Sequence, residues 1–365
     1  MIIVIRKKIL VAILLFAIVV LSIIFFIGTR DIKSVFNSED YNTIISDNIM
    51  LRNNSILSKN QEDIKKLYDL DKKYGVWAYE HEINKMKYLH KWSEKQGIKF
   101  ISIKSNPIIN WVKEYEEKTT LNLTVSTEYK YVYKDDVESI STFRIGTYHL
   151  IDIQNQNDEW IIIKDWYDDP FADILSLKEE YMDNIKKIIL EGKKDNIELS
   201  ERRKKAIEYA DKYIGAADDG SNDYKYNKDY KNYNSLGGDC ANFASQALHE
   251  GGKFEKNYSW NYIKDGTRAW VNAQGFKDYM IYSGRGSLIA HGDYNKVLQS
   301  SYQLLPGDFI AYEKKGKVVH ISMVTGIDSK GYRLVNCHNT DRYRVPWDLG
   351  FSASKIKYWF VRVNY

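Results

Sequence analysis

The sequence predicts an α+β protein made of two folded units behind an apolar N-terminal run. Three observations carry that expectation. Apolar residues recur at helical spacing between Asn60 and Gly97, Leu121 to Tyr133 alternates apolar with polar residues, and past Ser200 a helical stretch gives way to strand-like runs. Helices followed by runs of strands, without regular βαβ alternation, belong to the α+β class. The chain has 365 residues, which is longer than one ordinary domain.

In the N-terminal run, Arg6, Lys7 and Lys8 precede Ile9 to Gly28, an apolar stretch broken only by Ser22. That length matches the hydrocarbon core of a bilayer. The basic flank predicts a cytoplasmic N-terminus and places residues after Arg30 outside. No small-x-small cleavage site ends the run, so a retained single-pass anchor is expected over residues 1–30 rather than a cleaved signal. The expected location is the cell membrane with the folded units outside.

Residues 31–174 are expected to form a small α+β domain. Ile64, Leu67 and Tyr68, then Tyr79, Ile83 and Met86, mark two helices. Leu121, Leu123, Val125, Thr127, Tyr129, Tyr131 and Tyr133 line one face of a half-buried strand. Phe143 to Ile153 and Glu159 to Trp166 are further strands, joined by a turn at Asn155 to Asp158. The pattern is similar to the cystatin-like cone folds. It holds no catalytic constellation, and His81, His90 and His149 are scattered singly. Residues 175–198 form a charged helical linker.

Residues 199–365 carry the chemistry. Ser200 is a plausible N-cap ahead of Ala206, Ile207, Ala210, Tyr213 and Ile214 on one helical face. A tyrosine-rich loop follows, whose Asp218, Asp219, Asp223 and Asp229 lack the EF-hand spacing. No metal or cofactor is expected. The stretch GGDCANFASQAL, Gly237 to Leu248, then places Cys240 in the first turn of a helix. Unpaired N–H groups there favour a thiolate and can hold an oxyanion. Only one other cysteine exists, Cys337, where a disulfide-stapled exported chain would carry many more.

A thiolate nucleophile needs an imidazole near it. His320 opens the strand-like run Val318 to Gly326, and Tyr332 to His338 forms the next strand. In that strand Asn336 and His338 share a face and Cys337 points the other way, which makes a bridge to Cys240 awkward. Either Asn336 or His338 could orient His320. Asp239 is expected to hold the turn, because a carboxylate beside the thiol would raise its pKa. His249 and His291 are read as structural or incidental.

The stretches GGDCANFASQALHEGG, Trp260, Trp270-Val271-Asn272, the His320 strand and His338 to Arg342 resemble the putative amidase domain of Gram-positive bacteria. That family is a papain-like relative of the NlpC-type and CHAP cell-wall hydrolases. Pro306-Gly307-Asp308 before the histidine strand is similar to the NlpC-type pattern as well. Ala241 stands where members usually have threonine or serine, and Asn339 intervenes before Thr340 in the last motif. The resemblance implies a papain-like fold over about 199–365, with Cys240 as nucleophile and His320 as base; His338 is expected as the orienting third group, with Asn336 in reserve. Asp341 and Arg342 are read as a local ion pair or as substrate contacts. Trp260, Trp270 and the loop tyrosines are read either as groove lining or as packing.

The expected activity is hydrolysis of amide bonds in peptidoglycan or its stem peptides. A thiol acyltransferase or transpeptidase, and a non-catalytic wall-binding module, are the alternatives. Net charge is only +4, with both signs interleaved and no basic block beyond the N-terminus, so no nucleic-acid partner is expected.

Overall fold

Capping residues and glycines set the helix boundaries. Asn60 accepts the Asp63 N–H at 3.2 Å and Ser200 accepts that of Arg203 at 3.4 Å, so each opens a helix. Gly97 ends another, in the left-handed region at φ 70° with its N–H turned back to Glu94 and Ser93. The computed structural model describes residues 38–171, 179–194, 196, 198–352 and 355–365. It divides into two units, Met1–Tyr41 and Asn42–Tyr365. In the first, only the opening residues of helix α1 (Ser38–Ser58) are described.

In the second unit α1 continues and is followed by α2 (Gln61–Lys66) and α3 (Lys73–Gln96). Four strands come next: β1 (Ile98–Glu114), β2 (Thr119–Tyr133), β3 (Asp136–Gln156) and β4 (Glu159–Trp166). Asn157 and Asp158 link the last two with φ of 54° and 67°, the left-handed pair that suits the twist of a two-residue hairpin. Alternation along β2 turns Tyr129 and Tyr131 toward Phe100 and Phe143, and Trp92 of α3 stacks on Phe100. Helix α4 (Glu179–Leu190) leads to α5 (Glu201–Lys212).

The remaining elements are α6 (Cys240–Gln246), extended by a π-helical turn to Gly251, then α7 (Arg268–Val271), α8 (Ala273–Tyr282), β5 (Gly286–Gly292) and α9 (Tyr294–Ser301). Strands β6 (Phe309–Lys314), β7 (Lys317–Ile327), β8 (Arg333–Cys337), β9 (Arg342–Pro346) and β10 (Ile356–Val363) complete the chain.

All ten strands belong to one antiparallel sheet, ordered β1-β2-β3-β9-β8-β7-β6-β10-β5, with β4 also on β3. Strand β3 is the join. Along one edge it pairs with β2; along the other, Arg144 and Ile145 pair with β9 and Leu150 to Gln156 pair with β4. A buried polar hub ties the halves together as well. Asp348 takes hydrogen bonds from Lys95, Trp92 and Gln96 of α3, and from Tyr332.

This architecture corrects the expected fold. A papain-like domain behind a membrane helix and a separate cone-like α+β domain is replaced by one large sheet with helices packed on it. Side-chain periodicity specifies which face of a strand is buried but not which edge it pairs with, so the β3–β9 junction left no trace in the pattern. The membrane-spanning run over Ile9 to Gly28 lies outside the described residues. Among the described residues no helix is long and apolar enough to cross a membrane, so they lend the expected single-pass location no support.

Candidate functional site

The turn before α6 explains the two glycines. Gly237 and Gly238 hold φ of 106° and 127°, and a Cβ on Gly238 would lie 2.2 Å from Nδ2 of Asn339. Asn339 fixes the turn from the far side, its Oδ1 accepting the Asp239 N–H at 2.7 Å. The Asp239 carboxylate then gathers three donors. Oδ1 accepts from the Tyr233 N–H at 3.0 Å and from Nδ2 of Asn242 at 2.8 Å, and Oδ2 accepts from Nδ1 of His338 at 2.6 Å.

Cys240 follows directly, 5% exposed. Burial pushes its thiol up to about 12, while backbone N–H groups of Ile321 and Ala241 act in the opposite direction on the sulfur. Cys337 is buried too and raised to about 11, and both cysteines are free thiols. The β7–β8 register puts Asn336 opposite Met323, on the helix-covered face that Cys240 packs against, so Cys337 turns to the other side.

His338 is held at both ring nitrogens. Nδ1 donates to Asp239 and Nε2 donates to the Tyr213 carbonyl at 2.6 Å, while Phe243, one turn into α6, lies with its ring centroid 4.1 Å away. Two acceptors at the two nitrogens call for two protons. Burial alone would lower its pKa, but the Asp239 hydrogen bond, the Asp341 and Asp239 charges and the Tyr213 carbonyl outweigh burial and raise it.

His320 has a different environment. Ala311 pairs with Ile321 and Tyr312 with His320, and a register shift follows immediately at Val319. Ala311 and Ile321 pack in the cluster that contains Cys240. The His320 ring lies instead beside Phe351 and Tyr312, with centroids 5.0 and 5.5 Å away. Alternation therefore directs it to the opposite face of the sheet. Burial, then the Arg342 charge, lowers its pKa well below the ordinary imidazole value, and its buried Nε2 has no partner.

The other sequence-derived candidates are engaged elsewhere. Asn336 bonds Thr325, the Ala210 carbonyl, Asp211 and the Arg344 N–H, so it does not orient His320. Asp341 accepts from the Ala216 N–H at 2.8 Å and from the Tyr226 hydroxyl, and burial raises its pKa. Arg342 donates to the Leu349 carbonyl and covers Phe351. Trp260 and Trp270 are fully buried, donating to Ser245 and Asn242, and pack instead of lining a groove. Asp218 is spent on its own loop, accepting the Asn222 and Tyr224 N–H groups. Sequence reasoning gave no site role to Tyr213 or to the β3 residues Gly146 and Tyr148, which reach the site through non-local contacts, as does the loop tyrosine Tyr226.

With that geometry in view, residues 200–361 match the family model described as "Putative amidase domain". The match points to a hydrolase of amide bonds. The chain is 25% identical over 292 residues to the uncharacterized protein YhbB of Bacillus subtilis (strain 168), covering 74% of this chain and 83% of that protein. It is 32% identical over 152 residues to the uncharacterized protein YjcM of the same organism, covering 39% of this chain and 31% of that protein. A crystal structure of a putative Ca/calmodulin-dependent kinase II association domain from Exiguobacterium sibiricum overlaps 37% of this chain and 95% of its own, at 13% identity and a TM-score of 0.21.

Proposed function

We propose that the region from Ser200 onward hydrolyses amide bonds with Cys240 as nucleophile and His338, held by Asp239, as the group that exchanges protons. One relationship carries this reading: Asp239 is peptide-bonded to Cys240 and hydrogen-bonded to His338. The Asp239 carboxylate keeps a proton on Nδ1, so a neutral His338 has its lone pair on Nε2. Loss of the Nε2 proton removes the bond to Tyr213 and frees that nitrogen to take the thiol proton. The sulfur then attacks the carbonyl carbon, with backbone N–H groups at the start of α6 available to the developing oxyanion. His338 returns the proton to the leaving amine, and water cleaves the thioester by the same route.

A second reading gives the base role to His320. It is favoured by the unpartnered, buried Nε2 and by the bulge beside it, since a one-residue shift of the bulge would turn His320 to the Cys240 face. Peptidoglycan stem peptides are the substrate class suggested by the motif resemblance to wall hydrolases.

Digestion of purified peptidoglycan and of defined peptides, followed by mass analysis and amine release, tests these readings. Cys240→Ala should abolish release under both. Loss in His338→Ala with retention in His320→Ala supports the first, and the reverse supports the second. Cross-linked products in place of free peptide would make the enzyme a transferase. Binding without turnover would make it a wall-binding module.

A further inference from the structure

We infer that the N-terminal half forms one wall of the substrate cleft and that Asp168 selects substrates carrying an ammonium group near the scissile amide. The inference rests on the reading of Cys240 as nucleophile. A cleft of about 310 Å³ opens beside the nucleophile turn. Gly146, Thr147 and Tyr148 of β3 and Asp168, just past β4, line one side; Gly237 and Asn339 line the other. Asn339 accepts the N–H of Asp239, the residue before Cys240, so the cleft borders the turn that leads into the nucleophile. A Cβ on Gly237 would meet nothing within 4 Å, as expected of a residue facing open space.

The β3 wall is fixed to the site. The Gly146 N–H donates to the Asp341 carbonyl at 2.8 Å, the Tyr148 and Tyr226 hydroxyls bond each other, and Tyr226 donates to Asp341. Arg144 adds bonds to the Ala217 carbonyl at 3.1 Å and to Asp219 at 2.8 Å. Such a wall holds a bound substrate in register with the nucleophile.

The wall also sets the charge of the cleft. Among the described lining residues Asp168 alone bears a formal charge. It is exposed, and among the described residues no hydrogen bond or ion pair engages its carboxylate. An unpaired carboxylate in a recess attracts a cation and disfavours an anion.

The test uses the full chain carrying Cys240→Ala, so that binding is read without turnover. Calorimetry compares acetyl-Ala-Lys-Ala-amide with the same peptide acetylated at the lysine Nε. The lysine peptide should bind about two- to fivefold more tightly, with the preference shrinking as salt rises. Asp168→Asn should bring the ratio of the two affinities toward one, and Asp168→Lys should reverse it. Equal affinities in the parent, no binding of the lysine peptide at millimolar concentration, or an unchanged ratio in Asp168→Asn would overturn the inference. The nucleophile reading fails separately, when Cys240→Ala hydrolyses peptides as fast as the unmodified chain.

Discussion

The Asp239 carboxylate accepts a 2.6 Å hydrogen bond from Nδ1 of His338, a residue 99 positions later in the chain, and both side chains are 2% exposed. Because the His338 pKa is raised, the pair contributes stability that is fully present below the ordinary imidazole value of about 6.5. That stability is lost as pH rises through the raised folded value. Asp239→Asn should lower the His338 pKa in an NMR titration and cost about 3–5 kcal/mol at pH 6, as expected when one partner of a buried pair is removed. An unmoved His338 titration in that variant would show that the bond does not set its charge.

Under the proposed mechanism the same pair also sets the rate. The base form of His338 is the neutral one, so hydrolysis should rise with pH through the raised pKa. In Asp239→Asn the rising limb of kcat/KM should shift to lower pH while the maximum falls by about 10²–10⁴-fold, the usual contribution of a positioned acid–base group. A limb that stays in place would assign the titration to another residue.

In the resting fold, without substrate, both thiols should alkylate slowly at neutral pH. Burial raises Cys240 to about 12 and Cys337 to about 11, whereas an unfolded thiol ionises near about 8.5. Iodoacetamide at pH 7 should label the native chain slowly and the urea-unfolded chain quickly. The neutral thiols of the fold contribute stability below about pH 8.5 that is lost as pH rises toward 11 and 12, so the urea midpoint should fall over that window. Fast labelling of native Cys240 at pH 7 would contradict this environment.

Lys95 and Asp348 form a fully buried ion pair, with Trp92, Gln96 and Tyr332 also bonded to the carboxylate. Burial lowers the Lys95 pKa, and the Asp348 charge works against that. Lys95→Met should destabilise the fold by about 3–5 kcal/mol by stranding Asp348, and the double change with Asp348→Leu should recover part of the loss. Urea unfolding of the three variants measures both effects. Additive losses would mean that the two groups are not coupled.

At the junction of the two halves, Gly146 leaves no space for a side chain, since an added Cβ would lie 2.2 Å from the Ala216 carbonyl carbon. Gly146→Ala should cost about 1–3 kcal/mol in urea unfolding, the range for overpacking. It should also reduce hydrolysis, because Ala216 donates its N–H to Asp341 beside the site. An unchanged midpoint would show that the loop shifts freely away from β3.

Much of the N-terminal half was legible from periodicity. The alternation from Leu121 to Tyr133 appears within β2, the run Glu159 to Trp166 coincides with β4, and the turn between β3 and β4 falls at Asn157 and Asp158. Strand β1 was not read, because its outer positions are largely half-exposed and break the alternation that marks a buried face. Helix α1 was missed as well, with apolar residues spread around it instead of forming one stripe. In the site, the glycine turn before Cys240 was legible from its residue types. The destination of each imidazole was not: His320 opens one strand-like run and His338 ends the next, and only the packing of β7, with Ile321 on the Cys240 side, turns His320 to the other face.

By itself the sequence determined the local elements, the glycine turn before Cys240 and the opposed directions of Cys337 and its neighbours, since backbone sterics and side-chain alternation act over a few residues. Tertiary structure alone decided that β3 pairs with β9, that Asp239 holds His338, and that Asp168 reaches the cleft beside the glycine turn before Cys240. Those contacts join residues about a hundred or more apart in the chain or depend on edge pairing, and their energies come from buried groups meeting across the fold, which no local pattern encodes.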